Sequence, residues 1–84
     1  MDRTERFNKA YEYLRYERVI KKQEDVAKAM GAGRPNITHA LKGKESVLTD
    51  KFLVRFASAF RQISLDWLLK GEGEMLTVAV PEFK

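Results

Sequence analysis

Residues 23–44 read Q-E-D-V-A-K-A-M-G-A-G-R-P-N-I-T-H-A-L-K-G-K. Gln23 to Met30 has the pattern of a short helix, with Val26, Ala27 and Met30 on one apolar face. Glu24 and Asp25 fall in its first turn, where carboxylates suit the positive end of the helix dipole. Gly31 ends it, because glycine takes the left-handed cap conformation without strain. A second helix runs from Arg34 or Pro35 to Lys42. Pro35 belongs in a first turn, where its missing N–H is not needed. The residue before a proline is steered away from helical angles, which puts Arg34 at the helix threshold. Ile37, Ala40 and Leu41 face inward, and Gly43 closes the segment.

The same window invites other chemistries, and each fails on detail. Gly31 and Gly33 begin a G-x-G-x-x-G pattern, but its third glycine position is Asn36. Gly43-Lys44 is followed by Glu45 rather than Ser or Thr, so a Walker loop is absent. His39 is the single histidine and there is no cysteine, whereas a zinc site needs three or four protein ligands. Ser46, Ser58 and Ser64 have no imidazole base paired with an orienting acid. The sequence gives no sign of an enzyme, a metal site or a cofactor.

Charge points elsewhere. The 84 residues carry a net charge of +4, and residues 1–48, with eleven Lys/Arg and seven Asp/Glu, hold all of it. Between 18 and 44 seven basic residues face two acidic ones. Such a patch suits a polyanion, although a solvated face has the same composition. No apolar run approaches the roughly 20 residues that span a bilayer, and the N-terminus lacks the apolar stretch of a signal peptide. A cytoplasmic protein is expected.

The rest of the chain reads as three more helices. Thr4 to about Arg18 places Phe7, Ala10, Tyr11 and Leu14 on one stripe, with Thr4 as its cap and Tyr13 and Tyr16 partly exposed. Thr49 or Asp50 to about Arg61 carries Phe52, Leu53, Phe56, Ala57 and Phe60. Leu65 to Lys70 is short, capped by Ser64 and ended by Gly71. Leu76 to Val80 is β-prone, but a lone strand has nothing to pair with inside such a fold, so the segment is disordered, docked on the body or paired with another chain. The expectation is an all-α domain of five helices over residues 1–74, followed by a tail or linker at 75–84.

Residues 23–44 resemble the helix-turn-helix of the phage repressor and Cro family, the Xre-type regulators. The resemblance rests on the ordered set Gln23, Ala27, Gly31, Ile37 and Gly43 and on the ending L-D-W-L-L-K-G-E-G-E-M, and it covers about residues 6–76. It implies a lambda-repressor-like fold, with the helix-turn-helix at the second and third helices. The third helix, about 34–42, would lie in the major groove of double-stranded DNA. By position, Arg34, Pro35, Asn36, Thr38 and His39 match base-facing residues. Gln23 matches a glutamine that bonds a phosphate and braces the recognition helix. Lys42, Gly43 and Lys44 match phosphate-gripping positions, and Lys21 and Lys22 add backbone contacts. Arg34 is either a bidentate reader of guanine or a phosphate clamp. His39 is either a groove-facing donor or acceptor, or a surface residue. Two positions depart from the family. Lys22 stands where Ser or Thr is usual, losing an N-cap. Pro35 replaces a polar reader, leaving an apolar contact such as a thymine methyl.

The implied protein is a transcriptional regulator, a repressor by preference, acting as a homodimer on paired half-sites. A second expectation is a protein-interaction module of the antitoxin kind, using the tail against a partner protein. In the family the G-E-G-E-M ending often precedes a larger C-terminal effector module.

Overall fold

The chain is described here by a computed structural model covering residues 2–77. Among these residues five helices follow one another: α1 (Arg3–Tyr16), α2 (Gln23–Met30), α3 (Arg34–Leu41), α4 (Asp50–Ala59) and α5 (Leu65–Lys70). The expected all-α architecture is therefore present. α2 packs chiefly on α3, while α1 lies against both α3 and α5.

α1 starts earlier than its apolar pattern suggests. Asp2, not Thr4, is the cap: its carboxylate accepts the Glu5 N–H at 2.9 Å, and Glu5 accepts the Asp2 N–H at 3.1 Å. This reciprocal pair satisfies two of the orphan donors of the first turn. α1 also stops at Tyr16, two residues short of Arg18, because Arg18 takes a left-handed backbone conformation (φ 63°). At α4, Thr49 accepts the Phe52 N–H and the helix ends at Ala59, two residues before Arg61. α5 keeps the expected limits, with Ser64 accepting the Trp67 N–H.

The core is aromatic at its centre. Phe7 of α1 meets Phe56 and Phe52 edge-on, with ring centroids 4.9 and 5.6 Å apart, and Phe56 leans on Phe60 at 5.1 Å. Leu14, Val26, Ile37, Leu53 and Leu68 are fully buried around these rings. Edge-to-face pairs place the positive rim of one ring on the negative face of the next.

Polar ties between helices complete the frame. A helix leaves its last carbonyls without intrahelical partners. At α2 these are met by Arg55 of α4, which donates to Met30 O at 2.8 Å and Gly31 O at 3.2 Å. At α3, Asn8 of α1 donates to Leu41 O at 2.8 Å. At α5, the buried Arg6 of α1 donates to Leu68 O at 3.0 Å and Leu69 O at 3.2 Å.

The chain after α5 begins docked on the body, one of the expected alternatives, and corrects the expectation that it has nothing to pair with. Leu76 does find a partner within the fold, in an antiparallel bridge with Ile63. Ser64 N–H donates to Met75 O at 2.7 Å, and Thr77 N–H donates to Gln62 O at 2.9 Å. The loop before α5 has unpaired backbone edges, and this short segment fills them. The remainder of the proposed tail, 78–84, lies outside the described residues.

Candidate nucleic-acid interface

α2 and α3 are held face to face by small and branched residues. Ala27 on α2, and Ile37 and Ala40 on α3, are all buried. Three residues, 31–33, join the helices. Ala32 N–H donates back to Ala27 O at 2.9 Å, a closure that requires the left-handed Gly31 (φ 71°). Gly33 is the N-cap of α3, which makes Arg34 its first helical residue and Pro35 its second. Arg34 is thus inside the helix, and its aim is set by helical geometry rather than by the turn.

The lost Ser/Thr cap at Lys22 is compensated from the other direction. Asp25, three residues into α2, accepts the Lys21 N–H at 2.7 Å and the Lys22 N–H at 3.1 Å. These backbone bonds hold the Asp25 carboxyl below the usual carboxylate range, with the charges of Lys22 and Lys28 acting in the same direction. The pairing fixes the backbone of both lysines at the start of α2.

Gln23 and Thr38 form a direct bond between the two helices, with the Thr38 hydroxyl donating to Gln23 Oε1. The Thr38 oxygen is also 3.5 Å from Arg34 O, at the limit of a hydrogen bond. The Thr38 hydroxyl proton is therefore spent inside the protein, leaving its methyl group as the part that a partner meets. The Gln23 amide N–H2 donates to no protein group among the described residues.

Two clefts flank the start of α3. One, of about 380 Å³, is lined by Tyr11, Arg15, Lys21, Lys22, Gln23, Glu24, Arg34 and Thr38. The other, of about 210 Å³, is lined by Asn36, Ser46, Val47, Thr49, Lys51, Phe52 and Arg55. Arg34 and Asn36 are about 200° apart around a helix of 3.6 residues per turn, so they border opposite sides. Arg34, Pro35 and Asn36 are all exposed between the clefts, and Thr38 and His39 are half-buried. Four cations face one carboxylate in the first cleft, and two cations face none in the second. In the first cleft burial pushes the Tyr11 phenol up, and the adjacent Arg15 opposes that shift.

Lys21, Lys22, Gln23, Arg34 and Thr38 are thus brought together, and Asn36 borders the opposite cleft. His39, Lys42, Gly43 and Lys44 border neither. Lys42 and Lys44 are exposed at the far end of α3. Gly43, expected to grip phosphate, commits its N–H to Ala40 O at 3.0 Å. Four residues escaped the sequence reading: Tyr11, Arg15, Lys51 and Arg55. Tyr11 and Arg15 are four apart on α1, and so are Lys51 and Arg55 on α4, which places each pair on one helix face. That spacing was the available signal. Summing charge over halves of the chain hid it, because Lys51 and Arg55 lie in the neutral half.

Among the described residues no group of His, Asp and Glu side chains is placed to hold a metal ion, and no helix is long and apolar enough to cross a membrane. Comparison with protein-family models, curated proteins and solved structures gives no match for this chain.

Proposed function

We propose that the chain is a sequence-specific double-stranded DNA-binding domain in which α2, the turn and α3 act as a helix-turn-helix. One observation carries the reading: the exposed start of α3 projects between two clefts lined with cations. A helix with side chains is about 10–12 Å across, and the major groove is about 12 Å wide. With α3 in the groove, the flanking clefts meet the two phosphate backbones.

Roles follow from the chemistry at each position. Arg34 reads guanine through its N–H fork, and Asn36 offers an amide that matches adenine. The Pro35 ring and the Thr38 methyl present apolar surface to a thymine methyl. Gln23, braced by Thr38, donates its amide to a phosphate, joined on that side by Arg15, Lys21 and Lys22. Lys51 and Arg55 serve the opposite strand. Lys42 and Lys44 add contacts at the far end of α3, with His39 beside them. A repressor acting as a homodimer on paired half-sites is the regulatory form that fits the sequence resemblance.

Selection from a randomised duplex pool, followed by binding across a salt series, tests this reading. The expected result is an enriched motif containing G and T within one half-site, with affinity falling steeply as salt rises. Equal affinity for all duplexes, or binding indifferent to salt, overturns it.

A further inference from the structure

The connection between α1 and α2 makes a backbone choice that its neighbours do not. α1, α2 and α3 close with the same pattern. Val19 N–H donates to Leu14 O at 2.9 Å, Ala32 N–H to Ala27 O at 2.9 Å, and Lys44 N–H to His39 O at 3.0 Å. Each closure needs one residue in the left-handed region. These residues are Arg18 (φ 63°), Gly31 (φ 71°) and Gly43 (φ 86°). Among the described residues Arg18 is the one non-glycine with positive φ. A Cβ in that conformation crowds the following carbonyl, and glycine avoids the cost.

Beyond that backbone closure, the Arg18 side chain gains nothing from the described residues to offset the cost. Arg18 is exposed, and among the described residues its guanidinium pairs with no carboxylate or carbonyl. Strained backbone of this kind is concentrated at functional sites. Arg18 borders a cleft of about 550 Å³ with Glu12, Arg15, Tyr16, Ile20 and Lys21. Arg15 and Lys21 also line the cleft of about 380 Å³ beside α3. Arg15 and Lys21, shared by the two clefts, therefore connect Arg18 to Lys22 and Arg34, although Glu24 lies 3.6 Å from Lys22. The single carboxylate in the outer cleft, Glu12, lies 3.5 Å from Arg15.

We infer that this outer cleft is a phosphodiester-binding site that continues the track of one DNA strand past α3, with Arg18 as its outermost contact. The inference rests on the duplex-binding reading above. The Arg18 fork suits a phosphate, and the Tyr16 phenol, 82% exposed, supplies a further O–H donor. Continuity with the α3 cleft favours a nucleic-acid strand over an acidic protein segment, which has no reason to share Arg15 and Lys21 with α3.

Arg18→Gly separates the two roles of this position, because it relieves the backbone while removing the charge. The variant should melt at or above the temperature of the parent. Its plot of log affinity against log salt for the selected duplex should be shallower by about 0.9, so that raising salt from about 50 to 200 mM weakens binding about 3.5-fold less. Arg18→Lys should retain the parent slope. Trimming the duplex one base pair at a time should abolish the difference between parent and Arg18→Gly once the phosphate under Arg18 is gone. A parent slope in Arg18→Gly on every duplex length overturns this inference alone. A parent protein that binds no duplex in a salt-dependent way overturns the duplex-binding reading and this inference with it.

Discussion

The two ends of α3 are built for different purposes. The beginning, Arg34 to Asn36, is exposed between two basic clefts and, among the described residues, receives no side-chain bond from another helix. The end, Leu41 to Lys44, is tied down. Asn8 holds the Leu41 carbonyl, and Gly43 sits so close to α1 that a Cβ would lie 2.7 Å from Thr4 Oγ1. Around Gly43 a cleft carries the carboxylates of Asp2, Glu45 and Asp50, with Arg3 paired to Asp50. Acidic surroundings repel a phosphate and cationic ones attract it. One end of the same short helix is thus tied into the domain, with only the Lys42 and Lys44 side chains exposed for the proposed contacts, and the other is the open end of the candidate interface.

Substitutions should divide along that line. Gly43→Ala should cost the most, about 2–4 kcal/mol of folding stability, from left-handed strain plus overpacking. Urea denaturation measures it, and Thr4→Ala in the same chain should recover part of the loss by removing the hydroxyl and methyl in the way. Arg34→Ala should leave stability within about 0.5 kcal/mol but remove about 1–3 kcal/mol of discrimination between the selected half-site and one with its guanine replaced. Competition binding with the two duplexes reads this. A large stability loss at Arg34, or a loss of binding equal on both duplexes, breaks the contrast.

Thr38 lies between the two ends, and two substitutions sharpen its role. Thr38→Ser keeps the hydroxyl for Gln23 and removes the methyl, so preference for thymine over uracil in the selected site should fall. Thr38→Val keeps methyl groups and removes the bond to Gln23, so overall affinity should drop by about 1 kcal/mol while the preference for thymine stays. Paired duplexes that differ only in the thymine methyl separate the two outcomes.

The smallest effect should come from pH. The Asp25 carboxyl is depressed in the folded state. Its contribution to stability is therefore present above the unfolded carboxylate value and is lost as pH falls through the lower folded one. Parent and Asp25→Asn should differ in melting temperature at neutral pH and converge in acid. A gap of constant size across that range counts against the cap.

Much of this arrangement is legible in the sequence because local signals agree with the fold. Gly31, Gly43, Gly71 and Ser64 mark helix ends, and Ile37, Ala40, Leu53 and Phe56 mark buried faces. Other features were not legible. The Asp2 cap is the exception, since Glu5 three residues on is the reciprocal pattern of a capping box, and the apolar stripe alone pointed to Thr4 instead. The roles of Arg6, Asn8 and Arg55 depend on which helix end lies nearby, and periodicity along one helix carries no such information. Arg18 has the composition of an ordinary last-turn cation, so nothing in its residue type announces a left-handed backbone. The pairing of Leu76 with Ile63 depends on an exposed loop edge that exists only once α5 has folded. In the candidate interface the residues of α2 and α3 were those that the family resemblance implies, whereas Arg15, Lys51 and Arg55 required the assembly of α1 and α4 around them.

The donors that Arg6, Asn8 and Arg55 lend to other helices have a further consequence, for how the protein loses activity. Helices of six to ten residues, such as α2 to α5, are too short to persist alone in water. α2 and α3 each have their last carbonyls completed by a side chain from α4 or α1. The surface presented by α3 is therefore a property of the whole domain. Unfolding should be all-or-none, and no excised segment containing residues 23–44 should keep the shape that a duplex would meet.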